Sequence, residues 1–263
     1  MIVIFDVDGV LFDTSKSYHL AIIETVKFYT DKEDINKDDI LDIKFKLGIN
    51  NDWDVSVAGI IYTKGNFELD RFLKEFKTAS KSTEEMYKFG KRYNIALPEY
   101  KELVVYFENI YSSLRKNEEM IISKDTLKKI REIADITGVI TGRPYEDLDY
   151  SFKKFNLYPF FDYIITDDDT PLSSQKKPSS YPLKLFFKRF SYKEPSIYIG
   201  DTIADRDMVR NYNSEENKNV KFVLFDNPFI KDYKGIEYKV KTGEELFNLL
   251  EDIKEKKKKI TQS

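Results

Sequence analysis

The chain has 263 residues, 41% of them hydrophobic with 20 Phe and 18 Tyr, enough to bury one large or two modest domains. It has no cysteine and one histidine, which excludes disulfides, thiolate metal sites, cysteine nucleophiles and sites built from several histidines. The formal net charge is −3 and the 43 basic residues are spread along the chain, so nucleic acid has no electrostatic footprint to meet. No apolar run nears the ~20 residues of a membrane span, and the opening strand is too short and acidic for a signal peptide. The expectation is a soluble protein of the cytoplasm with neither nucleic acid nor membrane as a partner.

In chain order, Ile2-Val3-Ile4-Phe5 reads as a buried parallel strand. It stops at Asp6 and Asp8, two carboxylates spaced i, i+2, and Gly9 follows, where the chain can turn sharply over a ligand. After Asp13-Thr14-Ser15 the apolar period becomes helical, through Ile22, Val26 and Tyr29, then Leu69, Phe72, Leu73 and Phe76, then Leu103, Phe107, Ile110 and Leu114. His19 is expected to be a partly exposed residue of the first of these helices. Gly48 and Gly65 read as helix stops, and Pro98 suits the first turn of a helix. Asn50-Asn51-Asp52-Trp53-Asp54 carries the single tryptophan at a helix start. It reads either as an N-cap with Trp53 packed beneath it, or as a polar and aromatic face in which Asn51 and Trp53 meet a substrate.

Ser123 resembles an N-cap for a helix carrying Leu127 and Ile130. Strands are then expected at Asp135–Thr141, Tyr163–Thr166, Ser196–Ile199 and Val220–Phe225. Helices near Glu146–Phe155, Tyr181–Phe190 and Ala204–Tyr212 separate them, and a last helix starts near Gly243. Its basic run from Lys254 to Lys259, broken by Glu255, reads as a solvated end that suits the helix dipole. Alternating strands and helices imply an α/β fold, a doubly wound, Rossmann-like parallel sheet. The first strand belongs to that sheet, so the helical block is an insertion. The expected division is 1–14 with 120–263 as the core and 15–119 as an inserted α-helical domain.

Three further polar clusters lie at strand ends. Thr141-Gly142-Arg143-Pro144 follows one strand, and Lys176-Lys177-Pro178 lies in the loop after Asp167-Asp168-Asp169. Gly200-Asp201 ends another strand, with Asp205 one helical turn on. Parallel strands bring their C-terminal ends to one edge, where open α/β sheets place their sites. Asp6, Asp8 and Asp201 should therefore converge beside Thr141 and Lys177. Acids with little histidine suit a hard divalent cation such as Mg²⁺. A hydroxyl and an ammonium opposite it suit phosphoryl oxygens.

This order of motifs, DxD, strand-end Thr, Lys before Pro, then GDxxxD, resembles the haloacid dehalogenase superfamily hydrolases with a helical cap inserted after the first motif. The resemblance covers the core from Ile2 to Asp205. It implies a Mg²⁺-dependent phosphatase of a small phosphorylated metabolite, with a cap that closes over the site. By that resemblance Asp6 is the nucleophile that forms an aspartyl-phosphate, and Asp8 protonates the leaving alcohol and then deprotonates water. Thr141 and Lys177 hold the transferring phosphoryl group, with Gly9 and Gly142 beside it. The metal falls to Asp6, the Asp8 carbonyl and Asp201, with Asp205 supporting the site or acting through a metal-bound water. Ser180 stands where the family often has a second proline, with Pro182 later, which makes Lys176 an alternative to Lys177. A phosphomutase and a non-catalytic binding module are the rival readings. The family's dehalogenases lack the second acid and the metal, so the presence of Asp8 and Asp201 argues against dehalogenation.

Overall fold

The computed structural model describes residues 1–228 and 235–262. Its centre is β1 (Ile2–Phe5), whose four residues are all fully buried. Such a strand has no solvent face, so the chain must supply apolar cover on both sides. Alternation does this: Val3 and Phe5 join one apolar cluster, Ile2 and Ile4 the other.

The chain divides into two units, one made of Met1–Asp13 with the residues from Glu119 onward, the other of Thr14–Glu118. In the first unit a ribbon of β2 (Phe12–Asp13) and β3 (Glu119–Met120) pairs antiparallel, Phe12 with Met120 and Asp13 with Glu119. The sheet continues with β4 (Ile136–Ile140), β5 (Tyr163–Ile165), β6 (Ser196–Gly200), β7 (Val220–Phe225) and β8 (Tyr238–Val240). Its order is β5-β4-β1-β6-β7-β8, with every pairing parallel. The chain therefore winds outward from β1 to β4 and β5, then crosses back to β6 and winds the other way. This is the doubly wound α/β sheet expected.

Helices α7 (Lys124–Ile133), α8 (Tyr145–Phe155) and α11 (Gly243–Gln262) cover one face. Leu127, Ile130, Leu148, Phe152, Leu246 and Leu250 meet Val3, Phe5, Ile197 and Ile199 there. On the other face α9 (Tyr181–Arg189) and α10 (Ile203–Glu216) bring Leu183, Phe186, Met208 and Val209 against Ile2, Ile4 and Tyr198. Burying each such side chain is worth about 1.5–3 kcal/mol. Ser123 caps α7 as expected, its hydroxyl accepting from the Thr126 amide at 3.1 Å. The basic run is less solvated than expected: Lys254 Nζ donates to the Ile133 carbonyl at 2.7 Å, and Lys257 pairs with Glu194 at 3.1 Å.

The second unit holds α1 (Tyr18–Thr30), α2 (Lys37–Leu47), α3 (Asp52–Gly65), α4 (Leu69–Phe76), α5 (Thr83–Arg92) and α6 (Tyr100–Leu114), with no strand among the described residues. Their apolar faces share one core that includes Ile22, Val26, Ile60, Phe72, Phe89 and Phe107. Phe72 stacks on Phe76 at 4.7 Å, and Phe89 meets Phe76 edge-on at 5.0 Å. His19 is half-buried on α1, edge-on to Phe45 at 6.0 Å. Gly48 ends α2 with φ +66°, as read from sequence. Two end signals are displaced. Gly65 is the last helical residue of α3, and Asn66 takes the left-handed position at φ 49°. Pro98 lies ahead of α6, because Glu99 is extended at its N-cap; the Pro98 carbonyl instead accepts from Tyr87 Oη at 2.7 Å. No helix among the described residues is long and apolar enough to cross a membrane.

Candidate active site

Asp6 follows β1 and Asp201 follows β6, the neighbouring strands at which the winding reverses. The Asp6 amide continues the ladder by donating to the Ile199 carbonyl at 2.8 Å. This is where a crevice forms at the C-terminal ends of an open α/β sheet. Gly9 turns the chain there with φ +72°, and a Cβ on it would stand 2.1 Å from Asp201 Oδ2. Only a bare backbone fits so close to that carboxylate.

Asp6, Asp201 and Asp205 are buried and each offers a carboxylate oxygen within 4.8 Å of the others. Lys177 Nζ lies 2.7 Å from Asp6 Oδ1 and 2.7 Å from Asp205 Oδ1. Of the two adjacent lysines it is therefore Lys177 that enters the cluster. Lys176 pairs with Asp167 at 2.7 Å. Asp205 opens α10 in a capping box: Thr202 N donates to its Oδ2 at 3.1 Å, and Thr202 Oγ1 at 2.5 Å. Its Oδ1 also accepts from Tyr198 Oη at 2.9 Å. With donors on both oxygens, Asp205 anchors Lys177, and Asp6 and Asp201 are the carboxylates suited to a cation.

Three carboxylates and one ammonium leave this buried cluster with surplus negative charge. The Asp6 carboxyl is accordingly pushed up to about 7, by burial first and then by Asp205 and Asp8, against the pull of Lys177. Burial works against the charge of Lys177, but Asp205 and Asp6 outweigh it and hold its value above that of an ordinary lysine. Tyr198, buried with its hydroxyl on Asp205, is raised by burial and by the same acids. An all-oxygen donor set with excess negative charge and a glycine-lined approach fits Mg²⁺.

Thr141 follows β4, the other neighbour of β1, and is buried. Its hydroxyl oxygen accepts from the Arg143 amide at 3.1 Å, which leaves the hydroxyl proton to be donated elsewhere. Gly142 sits in the turn between them. Asp8 is not part of the three-acid cluster; Arg143 Nε and Nη2 both donate to its Oδ1, at 2.8 and 2.6 Å. Asn51 and Trp53 belong to the second unit. Asn51 Oδ1 caps α3, accepting from the amides of Trp53 at 2.9 Å and Asp54 at 3.3 Å. Trp53 Nε1 donates to Glu108 Oε1 at 2.7 Å, and its ring packs partly buried on the helical core.

Sequence reasoning assigned no role to Arg143, Tyr198 or Asn227. Arg143 stands within a motif already singled out. Tyr198 is a hydroxyl inside an apolar strand, and a buried tyrosine needs a partner for its O–H. Asn227 follows the end of β7, beside β6; its Nδ2 donates to Asp201 Oδ2 at 2.9 Å and to the Asp201 carbonyl at 3.2 Å.

The sequence matches the family model of haloacid dehalogenase-like hydrolases over residues 1–213. No curated protein matches it. Solved structures share the fold over nearly their whole length. A phosphatase from Thermococcus thioreducens is 21% identical, with 95% of this chain and 99% of that chain covered and a TM-score of 0.64. A HAD-superfamily hydrolase of subfamily IA from Geobacter sulfurreducens is 19% identical, with 95% of each chain covered and a TM-score of 0.56. A predicted phosphoglycolate phosphatase from Haemophilus somnus is 16% identical, with 94% and 96% covered and a TM-score of 0.64.

Proposed function

The chain belongs to the haloacid dehalogenase-like hydrolases, and from this we propose that it is a Mg²⁺-dependent phosphatase that cleaves a small phosphorylated metabolite through an aspartyl-phosphate. The observation that carries this reading is the buried junction of Asp6, Lys177, Asp201 and Asp205 at the sheet's switch point. Lys177 holds one oxygen of Asp6, and among the described residues no donor meets the other, Oδ2. That oxygen is the nucleophile. It bonds to phosphorus as the bond from phosphorus to the leaving oxygen breaks, and Asp8 supplies the proton that oxygen takes. Water then attacks the phosphorus, Asp8 receives its proton, and Asp6 is released as carboxylate. Lys177 and the Thr141 hydroxyl hold the phosphoryl oxygens through the transfer. Asp6, Asp201 and the Asp8 carbonyl would hold Mg²⁺, which neutralises charge on the phosphoryl group when bound.

These groups recognise phosphoryl and cation alone, so they do not tell one phosphate ester from another. The leaving group is read by the inserted helices, with Asn51 and Trp53 as the residues that read it. The test is phosphate release into water from para-nitrophenyl phosphate, with Mg²⁺ and with excess chelator, which also separates hydrolysis from transfer to a sugar. Release is expected with Mg²⁺ alone, and Asp6→Asn should abolish it while the protein still unfolds cooperatively. Full activity in chelator, or more than a few per cent left in Asp6→Asn, would overturn the reading.

A further inference from the structure

We propose that Arg143 is a positioning residue that grips one oxygen of Asp8 and thereby assigns proton transfer to the other. The inference rests on the phosphatase reading, in which Asp8 serves the leaving group. The Arg143 side chain is 1% exposed, whereas that of Asp8 is 32% exposed. The buried end of this ion pair is thus the arginine, and the carboxylate stands at the solvent side.

Burying a guanidinium costs several kcal/mol unless it is well paired. Arg143 is held from several directions. Its Nη1 donates to Ser151 Oγ on α8 at 3.2 Å, and the guanidinium carbon lies 5.3 Å from the centre of the Phe12 ring on β2. Its own carbonyl accepts from the Asp167 amide at 2.9 Å. The usual strong arrangement places one N–H on each carboxylate oxygen. Here Nε and Nη2 converge on Oδ1 alone, and among the described residues no donor reaches Oδ2.

The chemistry follows from what a guanidinium can do. It donates hydrogen bonds, accepts none and keeps its protons. An oxygen that already receives two of its N–H groups has no place for a proton, so the proton of Asp8 sits on Oδ2. In the first half-reaction the Oδ2–H bond breaks, its electron pair stays on Oδ2, and the proton passes to the departing oxygen. In the second, Oδ2 takes a proton from the water whose oxygen attacks phosphorus. Arg143 changes no bond in either step.

The test compares propyl phosphate, whose alkoxide needs a proton to leave, with para-nitrophenyl phosphate, whose phenolate does not. Arg143→Lys keeps a buried cation without the fork. It should lower kcat/KM, which reports the half-reaction in which the ester is cleaved, by ~10²-fold for propyl phosphate and only a few-fold for para-nitrophenyl phosphate. In an Asp8→Asn background the same change should add almost nothing, because the group it positions has lost its function. Ser151→Ala, which removes one tether and no charge, should show the same selective loss in weaker form, and melting temperatures should accompany each rate. Equal loss on both esters, or full additivity with Asp8→Asn, overturns the proposal. Absence of phosphatase activity in the unmutated protein with Mg²⁺ would instead overturn the function on which it rests.

Discussion

The Lys177 ammonium stands 2.7 Å from Asp6 Oδ1, with both side chains buried. One cation thus joins the loop after β5 to the carboxylate at the end of β1.

Lys177→Ala should be far more damaging than Lys176→Ala. Removing one partner of a buried pair costs about 3–5 kcal/mol, since the other charge is left behind. Loss of the ammonium should also slow turnover ~10²-fold or more if, as proposed, it faces the charge that develops on the phosphoryl group. Lys176 pairs with Asp167 in a partly exposed position, where such contacts are worth about 0–1 kcal/mol. Melting temperature and kcat for both variants decide this, and a milder effect at Lys177 would reverse the assignment.

Stability should depend on pH through Asp6, and on cation in the opposite sense. Its carboxyl is pushed up to about 7 in the folded chain, from 3.8 for an ordinary aspartate. A group raised in this way lends stability that is complete below the unfolded value and lost as pH rises through the folded one. In chelator, the melting temperature should therefore fall as pH rises through about 7, and Asp6→Asn should remove that part of the fall. A cation replaces the proton, so Mg²⁺ should raise the melting temperature more on the alkaline side of about 7 than on the acid side. A gain independent of pH would count against Asp6 as a ligand.

Asn227→Ala should raise the Mg²⁺ concentration needed for half-maximal activity by ~10–100-fold, the usual effect of freeing a ligand from its outer partner. Its amide holds both the side chain and the carbonyl of Asp201. At saturating Mg²⁺ the rate should recover. An unchanged Mg²⁺ requirement would show that Asp201 keeps its place unaided.

Asn51→Ser and Trp53→Phe separate substrate reading from packing in the inserted helices. Serine still caps a helix but lacks the carboxamide nitrogen, and phenylalanine keeps most of the ring but not the N–H that meets Glu108. If these residues read the leaving group, kcat/KM for the preferred ester should fall by ~1–3 kcal/mol while para-nitrophenyl phosphate is spared. A lower melting temperature with equal loss on every ester would return both residues to a structural role.

The sheet was legible in the sequence because its inner strands are short apolar runs ending in polar residues. Val220–Phe225 is observed with the bounds expected, and β4, β5 and β6 differ by a residue or two at their ends. β8 was missed because its three residues, Tyr238-Lys239-Val240, are broken by a lysine and form no apolar run, unlike the equally short β5. The ribbon of β2 and β3 was missed for another reason: it pairs Phe12 with Met120 across the whole insertion, and nothing local marks the partner. Distance in sequence also hid the polar partners. Arg143 meets Asp8 across 135 positions, so its own segment shows only a strand-end arginine. What could be read was the type of residue at each strand end; which side chains would grip one another there depends on the winding order of the sheet.

The ribbon of Phe12 and Asp13 with Met120 and Glu119 also bears on how such a chain can change over generations. Paired residues of an antiparallel ribbon hold their Cα atoms ~4.5–5.5 Å apart, so whatever lies between positions 13 and 119 departs and returns through one narrow gate. Among the described residues, no pairing of the six-stranded sheet, and no member of the two clusters on its faces, falls within Thr14–Glu118. Any segment whose two ends come equally close can be spliced in at that gate with every register left as it was. A lineage can then trade one inserted unit for another in a single recombination and keep the sheet and its strand-end residues unaltered.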